Sequence, residues 1–236
     1  MKIGIRMLLL LWLLGIAACA VPVTRPAPVA GTDVGTVAAL PETEGWRRVQ
    51  FRIARPQGEA PRWYIDALIG GEIVAPVYQH NQQDIPLWRI HRRAGNDAHG
   101  HVLSFIFYTS PPGAQRIYQD IRRNAVLADL LATGQVTWVG YDDLTQNDSP
   151  LVEDTSDPVW PEPIRKSWPA LIMGASRMWL DLVTELAATH SDTADLVQRY
   201  ELVQQDITRL WAEQGQHAVL HHLAALFAYQ PLLIRY

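Results

Sequence analysis

The densest run of side chains able to do chemistry is Arg89, His91, Arg92, Arg93, Asp97, His99 and His101. Imidazole and carboxylate together suit zinc or iron, so Asp97, His99 and His101 form a candidate metal set, and a metal-dependent hydrolase acting on envelope material is one reading of the chain. Alternation divides this run. If residues 87–93 form a strand with Trp88 and Ile90 turned to the core, Arg89, His91 and Arg93 face the other way, whereas His101 shares parity with Leu103, Phe105 and Phe107. His91 and His101 are therefore expected on opposite faces, and a single three-histidine site is not expected.

Other signals for catalysis are weaker. His217 and His221 have the i, i+4 spacing of helical zinc ligands, but the segment reads HAVLHH and lacks the glutamate of an HExxH site. Gly174-Ala175-Ser176-Arg177-Met178 lacks the second glycine of a nucleophile elbow and lies within a helical stripe, and no phosphate-binding glycine loop is present. The adjacent acids Asp142 and Asp143 fall in a polar segment where exposed carboxylates are ordinary. No catalytic residue is assigned, and the balance leans away from an enzyme.

A different chemistry comes from the strands. Arg48, Gln50, Arg52, Arg89, His91, Arg93, Ser104, Tyr108 and Tyr141 are read as one sheet face, cationic and aromatic. Guanidinium forks match carboxylate and phosphate, so Arg48, Arg52, Arg89, His91, Arg93 and Tyr108 are the candidates for an anionic ligand such as a lipid head group or a cell-wall fragment. The competing expectation, and the favoured one, is that C-terminal helices cover this face and pair its arginines with Asp181, Glu185 or Asp206.

The elements that must hold these residues follow from periodicity. Val49, Phe51 and Ile53 alternate with arginine and glutamine, giving a first strand. Pro61 opens an imperfect helix carrying Trp63, Ala67, Leu68, Val74 and Val77, with Gly70-Gly71 and Pro76 expected to kink or end it. Leu87–Arg93 and Val102–Thr109 read as a hairpin, Ile117 to Leu131 as one helix closed by Gly134, and Gln135–Tyr141 as the fourth strand. The order β-α-β-β-α-β predicts an α+β, ferredoxin-like sheet domain over residues 45–142, with strands one and three central. Residues 143–163 read as an acidic, proline-containing solvated linker. Residues 164–236 read as a three-helix segment packing on the sheet, whose first stripe is Ile164, Trp168, Leu171, Ala175, Met178, Leu182 and Leu186 and whose second helix is capped by Ser191 or Asp192.

The N-terminus decides the setting. Lys2 and Arg6 precede an apolar run, Met7 to Ala18, that is too short to span a bilayer, which takes about 20 residues. The run ends Leu14-Gly15-Ile16-Ala17-Ala18-Cys19, which resembles the lipobox of bacterial lipoproteins. The resemblance implies a signal peptide over residues 1–18, cleavage before Cys19, and covalent diacylglycerol with an N-acyl chain such as palmitate on that residue. It further implies a lipid anchor in the outer membrane facing the periplasm, since Ala20 rather than Asp follows the cysteine. Residues 19–44, rich in Pro, Ala, Gly and Thr, read as a flexible tether.

Composition closes some classes. With 48% hydrophobic and 19% charged residues the chain is globular in character, and a net charge of −4 offers no general attraction to nucleic acid. Cys19 is the only cysteine, so its acylation leaves no thiol for disulfide, nucleophile or metal. The sequence therefore predicts an envelope protein that acts by binding, as an accessory or assembly factor for an envelope protein partner or as the holder of an anionic envelope ligand. It predicts no cofactor beyond the acyl chains. The remaining alternative is a purely structural lipoprotein.

Overall fold

A computed structural model describes residues 44–95 and 99–231. Cys19, the leader and Asp97 lie outside the described residues, as does the tether up to residue 43. The described chain is α+β. Strands β1 (Gly45–Ile53), β2 (Leu87–Ala94), β3 (His101–Thr109) and β4 (Val136–Tyr141) form one antiparallel sheet in the order β2-β3-β1-β4. The two central strands are the ones the apolar alternation selects, and β3 is buried along its whole length.

One face of the sheet carries Val49, Phe51, Trp88, Ile90, Leu103, Phe105 and Phe107 into the core. Helix α1 (Trp63–Ile69) continues through a π turn (Gly70–Val74) into α2 (Ala75–Asn81), so the glycine pair widens the helix without ending it. The physical reason is close approach: a Cβ on Gly70 would lie 2.8 Å from the Trp179 ring, and one on Gly71 would collide with the Tyr200 hydroxyl. That hydroxyl donates to Glu72 Oε1 at 2.7 Å, and burial followed by this bond raises its pKa.

The single helix expected from Ile117 to Leu131 is two, α3 (Pro111–Arg122) and α4 (Ala125–Ala132). Asn124 breaks it, accepting from the Leu127 N–H as an N-cap and donating to the Glu72 carbonyl at 2.9 Å.

Helices α5 (Glu162–Thr189) and α6 (Leu196–Gly215) are followed by a π turn (Gln216–His221) and α7 (His222–Leu226). Asp195, not Ser191 or Asp192, caps α6, accepting from the Gln198 N–H at 2.7 Å. No helix of the described residues is long and apolar enough to cross a membrane.

The helices do not cover the arginine face. Helix α6 packs on α1, and α5 packs against β2. An edge strand leaves alternate N–H groups outside the ladder, and Ser176 Oγ of α5 accepts the one from Ile90 at 3.0 Å. The buried residues of α5 are Pro169, Ser176, Leu180 and Val183, while Ile164, Leu171, Ala175 and Met178 of the expected stripe are exposed. Asp181 and Asp206 pair instead with Arg177 and with His190 and Arg209.

The most demanding contact in the core is polar. Asp66 on α1 is fully buried, with Oδ2 at 2.8 Å from His101 Nε2 on β3 and 3.5 Å from Arg92 Nη2 on β2. A carboxylate only accepts, so Nε2 of His101 carries the proton of this bond. The Arg92 guanidinium lies over the rings of Trp63 (4.8 Å) and Trp179 (4.9 Å) and donates to Trp63 O and to Gln204 Oε1 of α6. Five elements thus meet through one carboxylate. Removing one member of a buried charged set strands the others, so Asp66→Ala should lose about 3–5 kcal/mol of stability in chemical denaturation. A loss under about 1 kcal/mol, the scale of an exposed pair, would mean that the cluster does not hold the elements together.

Candidate functional site

The outer face of the sheet is where the sequence-selected residues converge. Strand register places Arg48 beside Ile106 and Arg89, Gln50 beside Ser104 and His91, and Arg52 beside Val102 and Arg93. These are three cross-strand rows on one face. Arg48, Arg52, His91 and Arg93 are exposed, and Arg89 is half-buried. Tyr141 belongs to the opposite face, paired with Val49 and packed on Tyr118 and Arg122. A register shift between Arg52 and Ile53 lies on this strand pair.

The segment after β4 is not a solvated linker. It folds back over the end of the sheet, where Trp46 Nε1 donates to the carbonyls of Leu151 (3.1 Å) and Val152 (2.9 Å) and the Trp46 N–H to Ser149 O. Tyr108, expected to meet a ligand, is 2% exposed and spends its hydroxyl on Pro150 O at 2.6 Å. It is a clamp for the segment rather than a free recognition group.

Between this segment and the sheet lies a cleft of about 330 Å³ whose wall includes Arg47, Arg48 and Arg89 on one side and Asp142, Asp143, Asp148 and Asp154 on the other. Arg48 pairs with Asp142 Oδ1 at 3.2 Å, and Arg89 Nε donates to Thr155 Oγ1 at 2.8 Å. Burial, with Arg48 adding to it, pushes the Arg89 guanidinium below its ordinary value. The volume is at the lower end of the range for small-molecule sites, roughly 300–1,000 Å³.

Arg47 is the residue that sequence reading missed. It has the inward parity of Val49 and Phe51 and is 3% exposed, and Nη1 donates to Gln146 O at 2.7 Å. Its Nε and Nη2 are buried without a hydrogen-bond partner, and no carboxylate of the described residues makes an ion pair with it. Its charge opposes the rise of the neighbouring Tyr118 pKa, which burial and Asp142 nevertheless push up to about 12. The signal was present in the sequence, since an arginine at an inward position of a central strand breaks the alternation that defines the strand.

The candidate metal set is not brought together among the described residues. His101 is 1% exposed and its Nε2 is taken by Asp66, whereas His99 is exposed in the turn. Rings of His217, His221 and His222 lie 5.3–5.5 Å apart on the exposed C-terminal helix, and no group of three His, Cys, Asp or Glu among the described residues could hold a metal ion.

Comparison with protein-family models, with curated proteins and with solved structures found no match.

His91 reports on the field of the face. Partial burial, then Arg89 and Arg93 on either side, hold its imidazole below the ordinary value of 6.5. A base whose folded pKa is depressed costs stability as pH falls through its unfolded value, because the unfolded chain then binds more protons. In an NMR titration the His91 midpoint should lie below 6.5, and Arg93→Gln should move it upward. An unchanged midpoint would show that the arginine row exerts no field there.

Proposed function

We propose that this is a lipid-anchored envelope protein, facing the periplasm of a two-membrane bacterium, that acts by binding an anionic envelope ligand on the outer face of its sheet. The anchor is Cys19, and residues 19–44 are the tether that lets the folded part stand clear of the membrane. The fold is ferredoxin-like, a reading supported by four antiparallel strands in the order β2-β3-β1-β4 with helices between β1 and β2 and between β3 and β4.

The observation that carries the binding reading is the uncovered row of Arg48, Arg89, His91 and Arg93 ending in a cleft. Helices α5 and α6 bury against β2 and α1, and the segment over the sheet docks on Trp46 and Tyr108 and reaches Arg48 through Asp142 and Arg89 through Thr155. A guanidinium carries more donors than one acceptor uses, so the exposed Arg48, with one nitrogen on Asp142, can still turn others to an external carboxylate or phosphate. Metal-dependent hydrolysis has no comparable support, because His101 is committed to Asp66.

The test separates anchor from binding. Cys19→Ser should abolish acylation, seen by mass spectrometry, and release the chain from the membrane fraction. The released chain should co-sediment with phosphatidylglycerol vesicles better than with phosphatidylcholine vesicles, and Arg48→Glu/Arg93→Glu should remove that preference. Equal sedimentation with both vesicles, before and after the substitutions, would contradict the reading.

A further inference from the structure

Helix α5 buries one side and leaves an apolar stripe open on another. Ile164, Leu171 and Met178 are 49%, 52% and 46% exposed, Ala175 is exposed, and Trp168 and Leu182 are half-buried. These six residues follow one another at alternating steps of four and three, the 3.5-residue repeat of a helix that packs lengthwise on another helix. Within the chain, β2 and α6 pack on α5, and its buried residues, Pro169, Ser176, Leu180 and Val183, are none of the six. Gly174 lies beside the stripe, at its middle. Glycine inside a helix is unfavourable without a reason. Close contacts with Trp179 and Tyr200 supply one for Gly70 and Gly71, whereas a Cβ on Gly174 would meet nothing within 4 Å. A missing side chain under open space lets a second backbone come close.

We propose that this stripe is a self-association surface, on which two copies of the chain pair their α5 helices antiparallel about a two-fold axis beside Gly174. The occupant follows from the stripe's own symmetry. Turning α5 end for end about an axis level with Met173 sets Ile164 against Leu182, Trp168 against Met178, and Leu171 against Ala175, so every member meets an apolar partner. A parallel pair would put Trp168 on Trp168 and Ala175 on Ala175, one layer overfilled and another hollow. In the antiparallel pair the flanking Gly174 meets its own counterpart and Ser167 meets Asp181, so no like charges are brought together. Other segments of this chain fit less well. Residues 232–236 reach at most about 18 Å, short of the roughly 27 Å between Ile164 and Leu182 along the helix, and residues 20–44 have no helical spacing. This surface lies on α5, not on the outer sheet face, and does not depend on the ligand reading.

The test is sedimentation equilibrium of the full chain in a non-ionic detergent, with micelles in excess over protein. A contact between two helices of this length is small beside a standard protein interface, so the dimer should form at tens of micromolar. Leu171→Arg should be monomeric at that concentration with an unchanged melting temperature, because the side chain it replaces is half exposed. Gly174→Leu should also be monomeric, with helicity equal to or above that of the unchanged chain. Cysteine cross-linking fixes the orientation: Ile164→Cys and Leu182→Cys chains produced together in one cell should be joined by a short thiol cross-linker, while either variant alone, like the unchanged chain, should not. A monomeric unchanged chain, or a dimer that survives both Leu171→Arg and Gly174→Leu, would overturn the proposal. Cross-linking of each single variant to itself would overturn the antiparallel arrangement.

Discussion

The carboxylate of Asp66 is the constraint on which the architecture turns. A charge removed fully from water needs partners, and Oδ2 has the His101 ring of β3 in a hydrogen bond and the Arg92 guanidinium of β2 at 3.5 Å, with Arg92 relaying the contact to α5 and α6, while Oδ1 has no hydrogen-bond partner among the described residues. Ile65, Leu68 and Ile69 bury α1 in the close-packed core, and the ionic cluster adds directional contacts to that packing. It also explains why His101, which looks like a metal ligand in sequence, is structural.

With α5 and α6 drawn to that side of the molecule, the outer sheet face is left to a different element. The segment after β4 docks over one end of it through the indole of Trp46 and the hydroxyl of Tyr108, both donating to backbone carbonyls. Such bonds hold a loop of any side-chain sequence, which frees its aspartates to face the cleft. The sheet supplies the positive wall, the loop the negative one, and the two signs coexist because the strand and the turn orient them independently.

Much of the sheet was legible in the sequence. Period-two alternation in residues 49–53 and the unbroken apolar run of β3 carry their own burial pattern, and parity correctly separated His91 from His101. Where reading failed, local pattern lost to tertiary geometry. The stripe Ile164, Leu171 and Met178 has helical period, but the face turned inward carries Pro169, Ser176, Leu180 and Val183 and lies elsewhere on the helix. The segment after β4 looked like a linker because its aspartates and prolines are polar, and its attachment depends on backbone carbonyls that composition does not display. Arg47 was visible as an inward arginine, yet what makes it notable, the lack of an acceptor for two of its nitrogens, exists only in three dimensions.

The central claim is that the arginine rows on the outer sheet face hold an anionic envelope ligand. The most direct measurement is NMR of the arginine side-chain Nε–Hε groups of the full chain in detergent, titrated with a short-chain phosphatidylglycerol. The account predicts that the Arg48, Arg52 and Arg93 resonances shift along a single saturating curve while Arg177 and Arg209 on the helices stay fixed. Small, unsaturating shifts spread over all exposed arginines would contradict it.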